Sequence, residues 1–241
     1  MKKIPFLLIL FLCLGIITSC NDNSFLGGTQ ITDLDKDAVF ADSSYTAGFL
    51  TQIYADVGFE TKLDRFNGGL QTSCDEAEFK KQSYISADAM FTTGTVNPLT
   101  CTSDAWDNCY RNIRRVNVFL KYADKSPMDE DTKVVYKAEA RFLRAWYYSI
   151  LLRHYGGIPL VGDFVAEDVS DIDKLKTSRD SYSDCVDYII NECETAAKSL
   201  PNKRAGRENG RAGAGACYSL ISRVRLFAAS KLFKRCLCLH G

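Results

Sequence analysis

Residues 141–163, RFLRAWYYSILLRHYGGIPLVGD, constrain the fold of this 241-residue chain more than any other stretch. A helix entering this segment continues to Tyr155 and no further. Gly156-Gly157 supplies a helix C-terminal stop, and Pro159 cannot continue one. At 100° per residue, Arg141, Arg144, Ser149, Arg153 and His154 spread around the helix instead of forming one wet face. Such a helix packs on more than one side. Its arginines then need carboxylate or carbonyl partners, or must reach the surface along their aliphatic stems. Three arginines also make it a poor membrane span. The stretch therefore reads as the central packed helix of a helical domain.

Four more helical segments surround it. In the first, roughly 45–57, Phe49, Leu50, Ile53, Tyr54 and Val57 recur at helical spacing. The second starts near Asp104. There Trp106, Tyr110, Ile113, Asn117 and Leu120 step by four, three, four and three, with Arg111, Arg114 and Arg115 off the stripe. That spacing favours core packing for Trp106 and Tyr110 over a ligand platform. The central helix has a start signal at Ser126, as cap, and Pro127, followed by acidic residues 129–131 at its positive end. The fourth runs from about 179 to 200, capped by Thr177 or Ser178, with Tyr182, Val186, Ile189, Ile190 and Cys193 on one face. The fifth runs from about 210 to 230 through Leu220, Ile221, Val224 and Phe227. The second with the third, and the fourth with the fifth, form antiparallel hairpins, which bury by stacking the faces that a lone pair leaves open. Residues 62–102 carry Gly68-Gly69, Asn97-Pro98 and scattered aromatics without a period, a long loop of the kind that often carries function.

The N-terminus is read as a leader. Lys2 and Lys3 precede an apolar run of signal-peptide length, and Ile17-Thr18-Ser19-Cys20 resembles a lipobox, with Cys20 as the acylated residue. Several acyl chains on one cysteine hold a domain durably at a membrane. On this reading residues 1–19 are removed and 20–35 form a lipidated tether. Among the remaining cysteines, Cys185 and Cys193 lie about 12 Å apart along one helix and cannot pair without breaking it. Buried free thiols are the expectation for most of them. Lys+Arg and Asp+Glu are both 30, so no overall attraction to nucleic acid is indicated.

Little in the chain suggests catalysis. There are two histidines, and His154 lies within the apolar helix, where a hydrogen-bonded structural role is expected. No nucleophile elbow, phosphate loop or His-Glu-x-x-His motif occurs. Asp75-Glu76 is an adjacent carboxylate pair, but adjacency does not make a glycosidase pair. Cys236, Cys238 and His240 place three potential metal ligands in five residues, with no second cluster to complete a site. No cofactor, metal site or catalytic residue is assigned.

Several motifs follow one another in order: the lipobox cysteine with Ser24-Phe25-Leu26, then Trp106-x-x-x-Tyr110-x-x-Ile113-x-x-x-Asn117. After these come Glu139-Ala140-Arg141-Phe142-Leu143-Arg144-Ala145-x-x-Tyr148 and Tyr155-Gly156-Gly157-Ile158-Pro159-Leu160-Val161. Leu200-Pro201, Gly210-Arg211 and Ala228-Ala229-Ser230-x-Leu232-Phe233 complete the series. In these the chain resembles the SusD/RagB family of outer-membrane glycan-binding lipoproteins of Bacteroidetes. The resemblance implies an all-α fold of tetratricopeptide-like stacked helix pairs with a long irregular loop insertion. It implies a lipid-anchored binding protein on the outer face of the outer membrane that is not an enzyme. Such a protein delivers oligosaccharides or other oligomeric nutrients to a SusC-like TonB-dependent transporter. A helical-repeat adaptor without sugar binding is the alternative.

The resemblance makes the 62–102 loop a contributor to the ligand site in some members. Sugar recognition needs aromatic faces for stacking and Asp, Asn or Arg for the hydroxyls. Arg65, Asn67, Asp75 and Glu76 are the candidate glycan contacts. Against the family pattern, the similarity covers an N-terminal helical portion, 36–233. Residues 234–241 depart from it abruptly, which suggests a frameshift or truncation.

Overall fold

The computed structural model describes residues 36–58, 105–167 and 177–231, with positions 75, 94, 97, 171, 173, 174 and 233. Two units are distinguished. The first spans Met1–Val39, of which only 36–39 are described; the second, Phe40–Gly241, holds the helical core. Six α-helices occur among the described residues: α1 (Lys36–Phe40), α2 (Ser43–Ala55), α3 (Trp106–Tyr122), α4 (Glu130–Tyr155), α5 (Tyr182–Ala197) and α6 (Ala214–Ala228). No strand is found among these residues.

Local chemistry sets the helix ends. Asp42 accepts from the Ser44 and Tyr45 amides at 2.7 and 2.9 Å and starts α2. Asp129, not Ser126, caps α4, accepting from the Thr132 amide at 2.8 Å. A carboxylate is the better acceptor at a positive helix end, and the backbone bond from Thr132 holds the Asp129 pKa below its usual value. Ser126 instead ends a short 3-10 turn, Ala123–Lys125. Ser181 caps α5, three to four residues beyond the expected Thr177 or Ser178. Helix α6 begins at Ala214, about four residues beyond the expected start near 210, and a 3-10 turn at Gly206–Glu208 precedes it.

The end of α4 falls where the Gly-Gly pair places it. Gly156 has φ +72°, which disfavours side chains, and its amide closes the last turn on Leu152 O at 3.0 Å. At Gly157 the reason is space: a Cβ would sit 2.3 Å from the Asp180 carbonyl.

Helix α4 is about 39 Å long by its rise per residue. It packs on α3, α5, α2 and α6, and α5 packs in turn on α6. Pairs α3–α4 and α5–α6 run antiparallel: Trp106 meets Tyr155, and Tyr182 stacks on Phe233. This is the tetratricopeptide-like stack, with Phe119, Leu143, Tyr147, Tyr148, Leu151, Ile158 and Ile189 in its core. Phe40, Phe49, Phe119 and Tyr122 form a ring cluster at one end. Cys109, Cys185, Cys193 and Cys217 are buried free thiols, as expected. Burial pushes the Cys217 thiol from 9.0 up to about 11, so these sulfurs serve as small apolar groups.

Candidate functional site

Two buried ionic nodes lie one turn apart on α4. At the first, Glu139 is fully buried, 0 % exposed. It accepts from Arg204 Nη2 at 2.6 Å, Arg211 Nε at 2.9 Å and the Tyr54 hydroxyl at 2.8 Å. Arg204 also donates to the Ala212 carbonyl, and the Ala212 amide donates to the Tyr54 oxygen at 3.0 Å. The segment before α6 is thereby tied to α2 and α4. Burial, then the neighbouring Glu139 charge, raises the Tyr54 pKa far above its usual value.

At the second node, Arg144 is 1 % exposed. Its Nε and Nη2 donate to Glu192 Oε2 at 2.9 and 2.7 Å, and Arg141 donates to the other Glu192 oxygen at 2.8 Å. Arg144 Nη1 donates to Asn117 Oδ1 at 2.8 Å, Asp163 Oδ1 at 2.5 Å and the Gly162 carbonyl at 3.2 Å. Asn117 donates to the Gly162 and Phe164 carbonyls at 2.8 and 3.0 Å. The Arg144 hydrogen bond holds the Asp163 carboxyl below the usual carboxylate range.

Residues 158–167 are thus held almost atom by atom. Tyr110 donates to the Pro159 carbonyl at 2.8 Å, and the Leu160 amide donates to Asp180 at 2.8 Å. The Val161 amide donates to the Tyr148 oxygen at 3.0 Å, and Arg114 reaches the Ala166 carbonyl at 3.0 Å. Irregular backbone packed this closely must have partners for its polar groups. Arg114, Arg144, Asn117, Asp180 and the hydroxyls of Tyr110 and Tyr148 supply them.

A second feature is an aromatic cleft of about 380 Å³. Trp146, Ile150 and Arg153 of α4, Tyr182 of α5, and Arg223 and Phe227 of α6 contribute to it. Its volume is that of a small-ligand pocket. Trp106 and Tyr110 do not form such a surface. They are half-buried and pack on each other and on Tyr155 and Tyr148, with Arg179 over the Trp106 ring. That agrees with their spacing.

Of the predicted site residues, only Asp75 is described, as an exposed turn position; Arg65, Asn67, Glu76 and Cys20 lie outside the described residues. His154 lies in the last turn of α4. It is exposed, on the side of that turn opposite buried Leu152. Sequence reasoning passed over Glu192 and Arg204, and met Glu139 and Arg211 only as members of motifs, without a role. Glu192 and Asn117 did leave a trace: each interrupts an apolar stripe, on α5 and α3.

Residues 49–226 match the SusD-like family model described as starch-binding and associating with the outer membrane. The chain belongs to the SusD-like family. It is similar to SusD-like protein P38 of Formosa agariphila, 23 % identical over 207 residues, covering 83 % of this chain and 38 % of the relative. Its fold matches the crystal structure of a SusD-like protein from Bacteroides fragilis with a TM-score of 0.61. The two are 26 % identical over 82 % of this chain and 37 % of the other. A laminarin-binding SusD-like protein matches with a TM-score of 0.62 at 23 % identity, over 77 % of this chain and 40 % of that one. The chain therefore spans about two fifths of the length of these relatives.

Proposed function

We propose that this chain is the helical portion of a carbohydrate-binding surface protein of the outer membrane. The observation that carries the reading is the family match across residues 49–226, under a description that names starch binding and the outer membrane. The laminarin-binding relative with the same fold supports a glycan as ligand. The absence of a catalytic motif from the sequence leads us to a binding role without turnover.

The finer reading follows the sequence. Residues 1–19 act as a leader, Cys20 carries the lipid, 20–35 tether the domain, and 36–233 form the helical body. The partner is a SusC-like TonB-dependent transporter, to which bound oligosaccharide passes. Arg65, Asn67, Asp75 and Glu76, in the stretch of sequence between α2 and α3, contact the glycan. Residues 158–167 and the two ionic nodes act as scaffold.

Calorimetric titration of the full-length protein with laminarin and starch oligosaccharides tests this. Binding of either class, weakened by Asp75→Ala and by Arg65→Ala, is the expected result. Binding that survives all four loop substitutions would move the site elsewhere. Release of shortened oligosaccharides would overturn the non-enzymatic reading.

A further inference from the structure

Between α5 and α6 the chain makes a small turn that is held at both flanks. Glu208 accepts from Arg204 Nη1 at 2.9 Å, and Arg211 Nε donates to Glu139 at 2.9 Å. The Arg211 amide donates to the Glu208 carbonyl at 3.1 Å and closes the turn. Asn209 and Gly210 form its tip. Asn209 has φ −57° and ψ 129°, and Gly210 has φ +97°. These are the angles of a type II turn, whose third residue favours glycine. A Cβ on Gly210 would meet nothing within 4 Å, so conformation and not crowding selects the glycine.

The tip carries two groups without partners. Among the described residues, none accepts from the Gly210 amide and none bonds the Asn209 carboxamide. Both residues are exposed. The other described asparagines differ. Asn112 and Asn117 are buried and their carboxamides are bonded. Asn191 lies inside α5, where helical hydrogen bonds hold the backbone amides. Asn202 precedes Lys203, whose Cβ crowds the following nitrogen, and Asn97 precedes Pro98, which has no N–H. Asn209 combines a free carboxamide, a free following amide and no Cβ beside it. The Gly210 nitrogen and the Asn209 side-chain carbon can then close a five-membered ring, an intramolecular attack that needs no outside nucleophile.

We propose that Asn209-Gly210 is a site of spontaneous covalent modification in the folded protein, at which asparagine becomes isoaspartate or aspartate. Base takes the Gly210 amide proton, and the nitrogen bonds to Asn209 Cγ. The Cγ–Nδ2 bond breaks, and ammonia leaves from a cyclic imide. Water then opens the imide. Opening at one carbonyl gives aspartate; opening at the other routes the main chain through the former side chain and gives isoaspartate. One water is consumed, one ammonia is released and nothing is oxidised or reduced. Either product carries a carboxylate in the segment that Arg204 and Arg211 tie to α4. The site includes none of the residues assigned to glycan.

The full chain, folded, is incubated at mildly alkaline pH and digested with a lysine-specific protease. Residues 204–231 then form one peptide in which Asn209 is the only amide side chain, so an amide-to-acid mass gain there reports on it alone. Asn191 and Asn202 fall in peptides of their own, and Asn67-Gly68 falls in another. Asn209 should convert at least about tenfold faster than Asn191 or Asn202, with isoaspartate identified by its backbone fragments. Gly210→Ala should slow the conversion at least about tenfold while the helical circular-dichroism signal stays unchanged. Asn209→Gln should abolish it, because glutamine would have to close a six-membered ring. The proposal is overturned if Asn209 converts no faster than Asn191 and Asn202, or converts only after unfolding in urea. A mass gain in residues 204–231 that persists in Asn209→Gln would overturn it too.

Discussion

The two ionic nodes on α4 and the outer strip of α6 use arginine in opposite ways. Arg144 is removed from water and saturated by Glu192, Asn117, Asp163 and a carbonyl. Arg223 and Arg225 stand in solvent beside exposed apolar groups. A buried guanidinium is expensive to desolvate and is tolerated only where partners are fixed. It therefore fixes its surroundings, here the backbone of residues 162–164. An exposed guanidinium costs little and fixes nothing. Arginine is architecture in the first region and a solvated surface group in the second.

The largest effect should come from breaking the buried side. Arg144→Met leaves Glu192 without its main partner and the Asn117 Oδ1 without its Arg144 donor. Urea denaturation should register a loss of about 3–5 kcal/mol. Adding Glu192→Leu should restore part of it, because the stranded charge is then gone; a double variant as unstable as the single one would show that the node acts through Asn117 alone.

Next is Gly157→Ala. The added methyl meets the Asp180 carbonyl, and the backbone must move, for a cost of about 1–3 kcal/mol in the same measurement. Tyr54→Phe is smaller. It removes a hydroxyl that donates to Glu139 and accepts from the Ala212 amide, for about 1–2 kcal/mol.

On the exposed side, Leu226→Lys should change stability by no more than about 0.5 kcal/mol. A loss comparable to that of Arg144→Met would mean that the α6 strip is structural, and the contrast would collapse. The last effect is on the alkaline limb. Cys217 has a folded pKa raised from 9.0 to about 11 by burial. Its contribution is complete below the unfolded value and is lost as pH rises through the folded one. Stability should therefore fall between about pH 9 and 11, less steeply in Cys217→Ala. Identical slopes would assign the decline to other groups.

The existence of α2 to α6 was legible from apolar periodicity, and the end of α4 from Gly156-Gly157 and Pro159, whereas the five-residue α1 is too short to show a period. Starts were less so. Ser126 and Asp129 both satisfy the cap preference, and the choice between them rests on where the 3-10 turn at Ala123–Lys125 leaves the chain. The need for partners at the α4 arginines was visible, because they fall on all sides of a helix too apolar to sit at a surface. Their identity was not. Glu192 lies 48 residues from Arg144, and only the packing of α4 on α5 brings the two together. The cleft was not legible at all, since three helices and residues 230 and 233 each contribute a few side chains to it.

The sequence by itself determined the five longer helices, the stop after Tyr155, the buried thiols and the family, because these rest on local periodicity, steric limits and ordered motifs. Tertiary structure decided which carboxylate neutralises which arginine, how the 158–167 backbone is satisfied, and which face of α6 is buried on α5. Those depend on distances between residues far apart in the chain, and no local pattern encodes a distance.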